Sequence, residues 1–336
     1  MKRDFVATIK KVSMLAIGLQ GSPLKNGSTA YLLARFMDEL EAQGARVNII
    51  DVPRKDIQPC RGCGFCEKKG YCVISDDDMS REVYGLLREA DIVVAASPVF
   101  FYNVTAQLKA LIDRSQTLWS RKYRFNLSDP LKKSRKGCFL SMGGSKGRQL
   151  FDGVNLVAKF FFDAIDAKFA DSLFYRSIET AEDMRNTPGL SEDIRRLVTQ
   201  SLMPVKPRLR VLFACRENAC RSQMAGAYAR HLGGDRLDVM TAGSSPAQSV
   251  SPLMVKAMAE EGIDMAFHTP RPLEPAIEQL QPEVIVTMGC GEACPVVPGA
   301  VRMDWDLPDP AGESIAFMIK VRNEIEKKVS GFIDNL

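Results

Sequence analysis

Residues 215–222 read Cys-Arg-Glu-Asn-Ala-Cys-Arg-Ser, directly after the apolar run 209–214. A cysteine that closes a strand, with an arginine six residues on at the start of a helix, is arranged to hold a tetrahedral oxyanion. Backbone N–H groups of the loop and the helix N-terminus face the anion, and Arg221 clamps two of its oxygens with a planar fork. Asn218, Cys220, Arg221 and Ser222 are the expected anion-binding residues. The same positive field suits a nucleophilic Cys215 thiolate aimed at phosphorus or arsenic. Such a nucleophile needs a general acid for the departing oxygen. Asp309 is the candidate, on the proline-stiffened stretch 304–310, with Asp304 and Asp306 as competitors.

Cys290 and Cys294 bear on which chemistry follows. Their spacing permits a disulfide, and the neighbouring glycines let the segment move. A phosphatase has no use for such a pair. A reductase does, because arsenic bonded to sulfur leaves as arsenite when a second thiolate attacks. Two incidental or metal-binding thiols are the plain alternative.

The first half carries a separate set. Cys60, Cys63, Cys66 and Cys72 follow the pattern C-x2-C-x2-C-x5-C. Four thiolates this close can enclose a 4Fe–4S cluster, bind zinc or remain as reactive thiols. Ser22, Asn26, Ser28 and Thr29 lie where a strand runs into a helix, a position that makes a phosphate pocket from hydroxyls and backbone N–H groups. Neither the Rossmann nor the Walker glycine spacing is met. Ser97, Pro98, Val99, Phe100 and Asn103 follow a third strand, and Gly143 and Gly144 follow a fourth. In a doubly wound sheet such loops meet at the carboxyl edge, where ligands bind. The aromatic residues there are placed to flank a flat ring.

These groups require strands ending at each loop, and the pattern supplies them. Strands are expected at 13–20, 46–52, 91–97 and 136–141, with helices at 28–43, 80–89, 105–118 and 154–167. A further helix is expected before the prolines Pro204 and Pro207. A fresh strand follows at 208–214, then 237–241 and 283–288, with helices at 222–232, 252–261, 272–280 and 313–332. The fold class is α/β, with two doubly wound parallel sheets of five and four strands. The expected division is a first domain over 1–200, a linker over 201–207 and a second domain over 208–336.

At 336 residues the chain has room for two cores, and 46% apolar with 26% charged residues is the balance of a soluble globular protein. A net charge of +4, spread along the chain, gives no case for nucleic acid. No apolar run approaches a membrane span. The first thirteen residues are short and charged, unlike a signal peptide or anchor. Nine cysteines without an export signal indicate metal or redox chemistry in a reducing, cytoplasmic setting. Cys138, alone inside a predicted strand, reads as a core thiol.

Residues 208–336 resemble the thioredoxin-coupled arsenate reductases built on the low-molecular-weight tyrosine phosphatase fold. The resemblance rests on Cys215-x5-Arg221-Ser222 with Cys220, on Thr241-Ala242-Gly243-Ser244, on Cys290 with Cys294, and on Asp309-Pro310. It implies that Cys215 attacks arsenate while Asp309 protonates the leaving oxygen. Cys290 then attacks Cys215 and expels arsenite, and Cys294 closes a Cys290–Cys294 disulfide for an outside reductant such as thioredoxin to reopen. The first half, about 13–175, resembles the flavodoxin-like NAD(P)H-dependent FMN reductases, iron–sulfur flavoproteins included, on the loops above and on the stretch 108–114, Leu-Lys-Ala-Leu-Ile-Asp-Arg. That resemblance implies FMN, NAD(P)H as electron donor, a 4Fe–4S cluster on the four cysteines, and homo-oligomers formed through this half. The combined expectation is a fusion that reduces arsenate, with the flavin half as electron donor. The alternatives are a tyrosine phosphatase fused to a flavin reductase, or a redox or oxyanion sensor without turnover.

Overall fold

A parallel strand covered by helices on both faces is buried on both faces, so it reads as an unbroken apolar run. That is how the central strands appear in the computed structural model, which describes residues 14–203, 207–234, 236–289 and 297–336. β1 (Leu15–Gln20) is buried throughout, and β3 (Ile92–Pro98) and β4 (Lys136–Gly143) are buried except at their ends. With β2 (Arg46–Asp51) and β5 (Lys168–Arg176) at the edges they form a parallel sheet in the order β2-β1-β3-β4-β5. A second parallel sheet joins β6 (Leu209–Cys215), β7 (Leu237–Gly243), β8 (Val284–Met288) and β9 (Val301–Asp304) in the order β7-β6-β8-β9. The fold is therefore two parallel-sheet α/β domains, as the sequence pattern predicts.

The first sheet is served by α1 (Ser28–Ala42), α2 (Phe65–Lys69), α3 (Tyr84–Glu89), α4 (Ala106–Arg114), α5 (Gln116–Tyr123), α6 (Asp152–Ala164), α7 (Ala181–Arg185) and α8 (Leu190–Leu197). The second is served by α9 (Arg221–Gly233), α10 (Pro252–Glu260), α11 (Leu273–Leu280) and α12 (Ile315–Asp334). The apolar stripe of α1 packs with Leu190, Ile194 and Leu197 of α8 on one face of the first sheet. Residues from α3, α4 and α6 fill the other face. Cys138 is fully buried in β4, and burial pushes its thiol well above the ordinary value.

Three elements differ from the pattern. The helix expected over 105–118 breaks at Ser115, whose hydroxyl bonds back to the Leu111 carbonyl at 3.1 Å and divides it into α4 and α5. The segment 79–83 is a π-turn leading into α3. The helix expected over 154–167 ends at Ala164, and Asp166 turns the chain with a φ of 53° into β5.

The two sheets are joined by more than the chain. Ser128 N–H donates to the Gly262 carbonyl at 2.7 Å, and Asp264 N–H donates to the Ser128 carbonyl at 2.9 Å. The buried Asp264 carboxylate accepts from Arg121 Nε at 2.8 and 2.9 Å, and also from Arg88. Arg88 reaches Asp129 at 2.7 Å. Phe267 stacks on Tyr84, with ring centroids 4.7 Å apart, and meets Tyr71 edge-on at 5.5 Å. Among the described residues no helix is long and apolar enough to cross a membrane.

Candidate functional site

Cys215 is the last residue of β6, and its side chain is almost fully buried. The chain turns sharply after it. Asn218 adopts a left-handed φ of 52°, and its backbone N–H points at Cys215 Sγ from 3.2 Å. Ser222 Oγ, in the first turn of α9, lies 3.0 Å from the same sulfur. The Asn218 side chain braces the loop, donating to Ser222 Oγ at 2.7 Å and accepting from Arg271 N–H at 2.9 Å and Gln223 Nε2 at 3.1 Å. Gly243, at the end of β7, makes room for this turn: a Cβ there would lie 2.6 Å from the Arg216 carbonyl oxygen and 2.8 Å from Asn218 N.

Arg221 opens α9 with its guanidinium buried against the 304–310 stretch. One nitrogen donates to the Leu307 carbonyl at 3.2 Å, the other to the Asp309 carboxylate at 2.7 Å. Asp309 is half exposed and lines one small cavity with Cys215, Cys220 and Arg221. Of its two competitors, Asp304 is occupied by the Thr287 hydroxyl and Asp306 faces solvent. Cys220, expected as part of the anion loop, lines the same cavity. Burial outweighs its bond to Ser251 and pushes its thiol up to about 11, so near neutral pH it stays protonated. Cys290 and Cys294 lie outside the described residues.

In the first half the three loops named from the sequence are stitched together at the carboxyl edge, across the point between β1 and β3 where the strand order reverses. Thr105 Oγ1 donates to the Gly21 carbonyl at 2.5 Å, and Thr105 N–H donates to Ser97 Oγ at 3.1 Å. Ser141 Oγ donates to the Ser97 carbonyl at 2.7 Å, Val99 N–H to the Met142 carbonyl at 3.0 Å, and Thr29 Oγ1 to the Met142 sulfur at 3.1 Å. Ser22 is buried and held by Gln20 at 2.6 Å. Gly27 caps α1 without a side-chain bond, so no capping oxygen occupies its first-turn N–H groups. Beside them, Phe100 and Asn103 close a tight turn by exchanging bonds of 2.8 and 2.9 Å. Its central residues Phe101 and Tyr102 both take positive φ, 47° and 60°, which is costly for bulky side chains. Phe101 is fully exposed.

Cys60, Cys63, Cys66 and Cys72 line one cavity of about 380 Å³ with Arg114 and Thr117. Cys60 and Cys63 are exposed, the other two half-buried. No group of three or more acidic, histidine or cysteine side chains among the described residues is placed to hold a single metal ion. The sequence reading missed the residues that organise these sites from a distance: Asp77 and the role of Arg114 at the cysteine loop, and Gln223 and Arg271, which bond Asn218 behind the anion loop. Arg114 ends the stretch 108–114, which was the one local signal for any of them.

Residues 14–149 match the family model for NADPH-dependent FMN reductase, and residues 210–336 match that for low molecular weight phosphotyrosine protein phosphatase. An iron-sulfur flavoprotein of Methanosarcina thermophila is 36% identical over 133 residues, 40% of this chain and 65% of that protein. Another, from Archaeoglobus fulgidus, is 45% identical over 101 residues, 30% of this chain and 45% of that protein. The chain thus spans less than two thirds of the length of these flavoproteins. Arsenate reductase 2 of Staphylococcus saprophyticus is 37% identical over 129 residues, 37% of this chain and 96% of that protein. With nearly all of that relative covered, the chain belongs, through residues 210–336, to the low molecular weight phosphotyrosine protein phosphatase family.

Proposed function

We propose that the chain reduces arsenate to arsenite at Cys215, with its flavin-reductase-like half as the source of electrons. The observation that carries this reading is a buried cysteine thiol set in an anion loop, 3.2 Å from an inward N–H, beside the Arg221 fork and Asp309. In the proposed sequence Cys215 Sγ attacks arsenic, and Asp309 gives a proton to the oxygen that leaves as water. Arg221 turns its fork to the equatorial oxygens, and Asn218 N–H and Ser222 Oγ hold the sulfur. Cys290 then attacks Cys215 Sγ. The S–As electron pair passes to arsenic, arsenite leaves, and Cys294 attacks Cys290 to release Cys215. Two thiols are oxidised to one disulfide as arsenic gains two electrons.

The β1, β3 and β4 loops fit a flavin mononucleotide, because open N–H groups at α1 adjoin buried hydroxyls and an exposed aromatic turn held in a strained conformation. Ser22, Asn26, Ser28 and Thr29 would hold its phosphate, and Ser97, Pro98, Val99, Phe100, Asn103, Gly143 and Gly144 would surround its ring. When bound, that group supplies two-electron exchange with NAD(P)H. The four thiols of the 380 Å³ cavity have the donor chemistry for an iron–sulfur cluster.

Product analysis tests the reading. Full-length protein given arsenate and NAD(P)H, without thioredoxin, should form arsenite. Arsenite only after thioredoxin is added would refute the donor role while keeping the reductase. Phosphate released from an aryl phosphate, with no arsenite under either condition, would establish the phosphatase that the family name describes. The relay has its own check. Cys290→Ser should trap arsenic on Cys215, whereas Cys294→Ser should release one arsenite per chain and stop at a Cys215–Cys290 bond. Intact-mass measurement separates the two, and sustained turnover by both variants would sink the relay.

A further inference from the structure

Residues 264–271 of the second half lie along α3 of the first and meet three of its side chains. Arg88 bonds the buried Asp264 carboxylate, Tyr84 stacks on Phe267 at 4.7 Å, and Glu89, the last residue of α3, pairs with the Arg271 guanidinium. The far end of the same stretch reaches the anion loop. Arg271 N–H donates to Asn218 Oδ1 at 2.9 Å, and the Arg271 carbonyl accepts from Gly243 N–H at 2.9 Å. Gln223 Nε2 also donates to Asn218 Oδ1, at 3.1 Å, and is itself held by the Thr269 carbonyl at 3.2 Å. Both donors to that oxygen therefore depend on where residues 269–271 sit.

Two further observations separate this from ordinary packing between domains. Phe267 takes a positive φ of 67°, which a bulky side chain adopts only where its surroundings impose it. Here the rings of Tyr84 and Tyr71 do so, with the bond from Ala266 N–H to Asp264 Oδ1 at 3.0 Å. Beyond it, Pro270 and Pro272 hold φ at the two positions beside Arg271, so the stretch passes on a displacement rather than absorbing it. The second observation lies at the receiving end. Asn218 is fully buried, aims its own N–H at Cys215 Sγ from 3.2 Å and sets Ser222 Oγ with its side chain at 2.7 Å. A small rotation of Asn218 alters both contacts to the sulfur.

We propose that α3 of the first half sets the anion loop of the second. Phe267 and Arg271 are positioning residues that carry the placement of α3, through Asn218, to the pocket at Cys215, so the first half governs how tightly that pocket holds its anion. This rests on reading the Cys215 loop as an oxyanion site. Tyr71, between Cys66 and Cys72, meets the Phe267 ring edge-on, so a movement of the cysteine loop reaches Asn218 by the same path.

The test uses the full chain and inorganic phosphate. Iodoacetamide alkylates Cys215, and phosphate seated on the loop shields it. The mass of the Cys215 peptide, followed against phosphate concentration, gives a dissociation constant for that loop alone. The effect of each variant is bounded by the contact it removes. Glu89→Ala, which removes a partly exposed ion pair, should raise the constant about threefold. Phe267→Ala, which removes an aromatic stack, should raise it about tenfold. Arg271→Met should lose as much as Glu89→Ala, and the double variant no more than either, because both remove one contact. Arg271→Lys, which keeps the charge, should bind as the parent does. Glu89 is 28% exposed, so Glu89→Ala keeps the fold. Ile194→Ala opens the core on the opposite face of the first sheet from α3; it should lower the melting temperature and leave the constant unchanged. A parent that phosphate does not shield at any concentration would overturn the oxyanion reading, and the role of α3 with it. Equal constants in the parent, Glu89→Ala and Phe267→Ala would overturn the role of α3 and leave the oxyanion reading standing. The role is equally overturned if Ile194→Ala loses as much affinity as Phe267→Ala, because general loosening would then explain the loss.

Discussion

Cys215→Ser is expected to abolish arsenite formation, by at least about a thousandfold, as removal of a catalytic nucleophile does elsewhere, while flavin content and melting temperature stay unchanged. A serine hydroxyl would keep the bonds that Asn218 N–H and Ser222 make to the sulfur at 3.2 and 3.0 Å, so the loop should hold its shape. What disappears is a nucleophile able to leave as one half of a disulfide. Cys220 lines the same cavity, but its thiol, pushed up to about 11 by burial, is no substitute near neutral pH. Arsenite assay of the purified variant beside flavin absorbance decides the matter. Arsenite production near the wild-type rate would mean that another sulfur carries the chemistry.

Asp264→Ala is expected to cost about 3–5 kcal/mol, the range for removing one member of a buried ion pair. Asp264 is 1% exposed, and the guanidiniums that it neutralises, Arg88 and Arg121, are 4% and 6% exposed. Truncation strands Arg121, and leaves Arg88 with Asp129, a carboxylate that Arg135 shares. Denaturant unfolding should show the loss, and a midpoint equal to wild type would show that the network contributes nothing. Acid titration provides a second readout. Burial pushes Asp129 up, but Arg135 and Arg88 outweigh it and hold the carboxyl at about 2. Asp264 is likewise lowered, burial being outweighed by Arg88 and Arg121. Carboxyls held below their unfolded value stabilise the fold above that value, roughly pH 4, and the contribution fades as pH falls through the folded value. Wild-type stability should therefore fall between about pH 4 and pH 2, and Asp264→Ala should show a shallower fall.

The sequence shows the centre of each sheet better than its rim. β1, β3 and β8 are apolar at nearly every position because helices cover both their faces. β5 and β9, at the edges, are mostly half-buried or exposed and carry neither a full apolar run nor a clean alternation. They were expected by number but not by place. The anion loop was legible because its parts are consecutive: strand, turn and helix N-terminus fall within residues 209–222. Arg114 and Asp264 were not. Arg114 acts on Asp77, 37 positions away, and Asp264 acts on Arg88, 176 positions away. No local pattern encodes a partner at that distance; only the folded arrangement of the two sheets brings it near.

That long reach bears on how the chain is made. Synthesis delivers the first half from the ribosome before the second. Arg88 and Arg121 emerge 176 and 143 residues ahead of the carboxylate that neutralises them, and Tyr84 emerges well ahead of the Phe267 ring that covers it. The first sheet can collapse early around its own apolar strands, but one side of it stays charged and open. Nascent chains released short of Asp264 should accordingly be captured by chaperones or degraded. Completion of the first half waits on residues deep in the second, so the nascent chain matures as one unit.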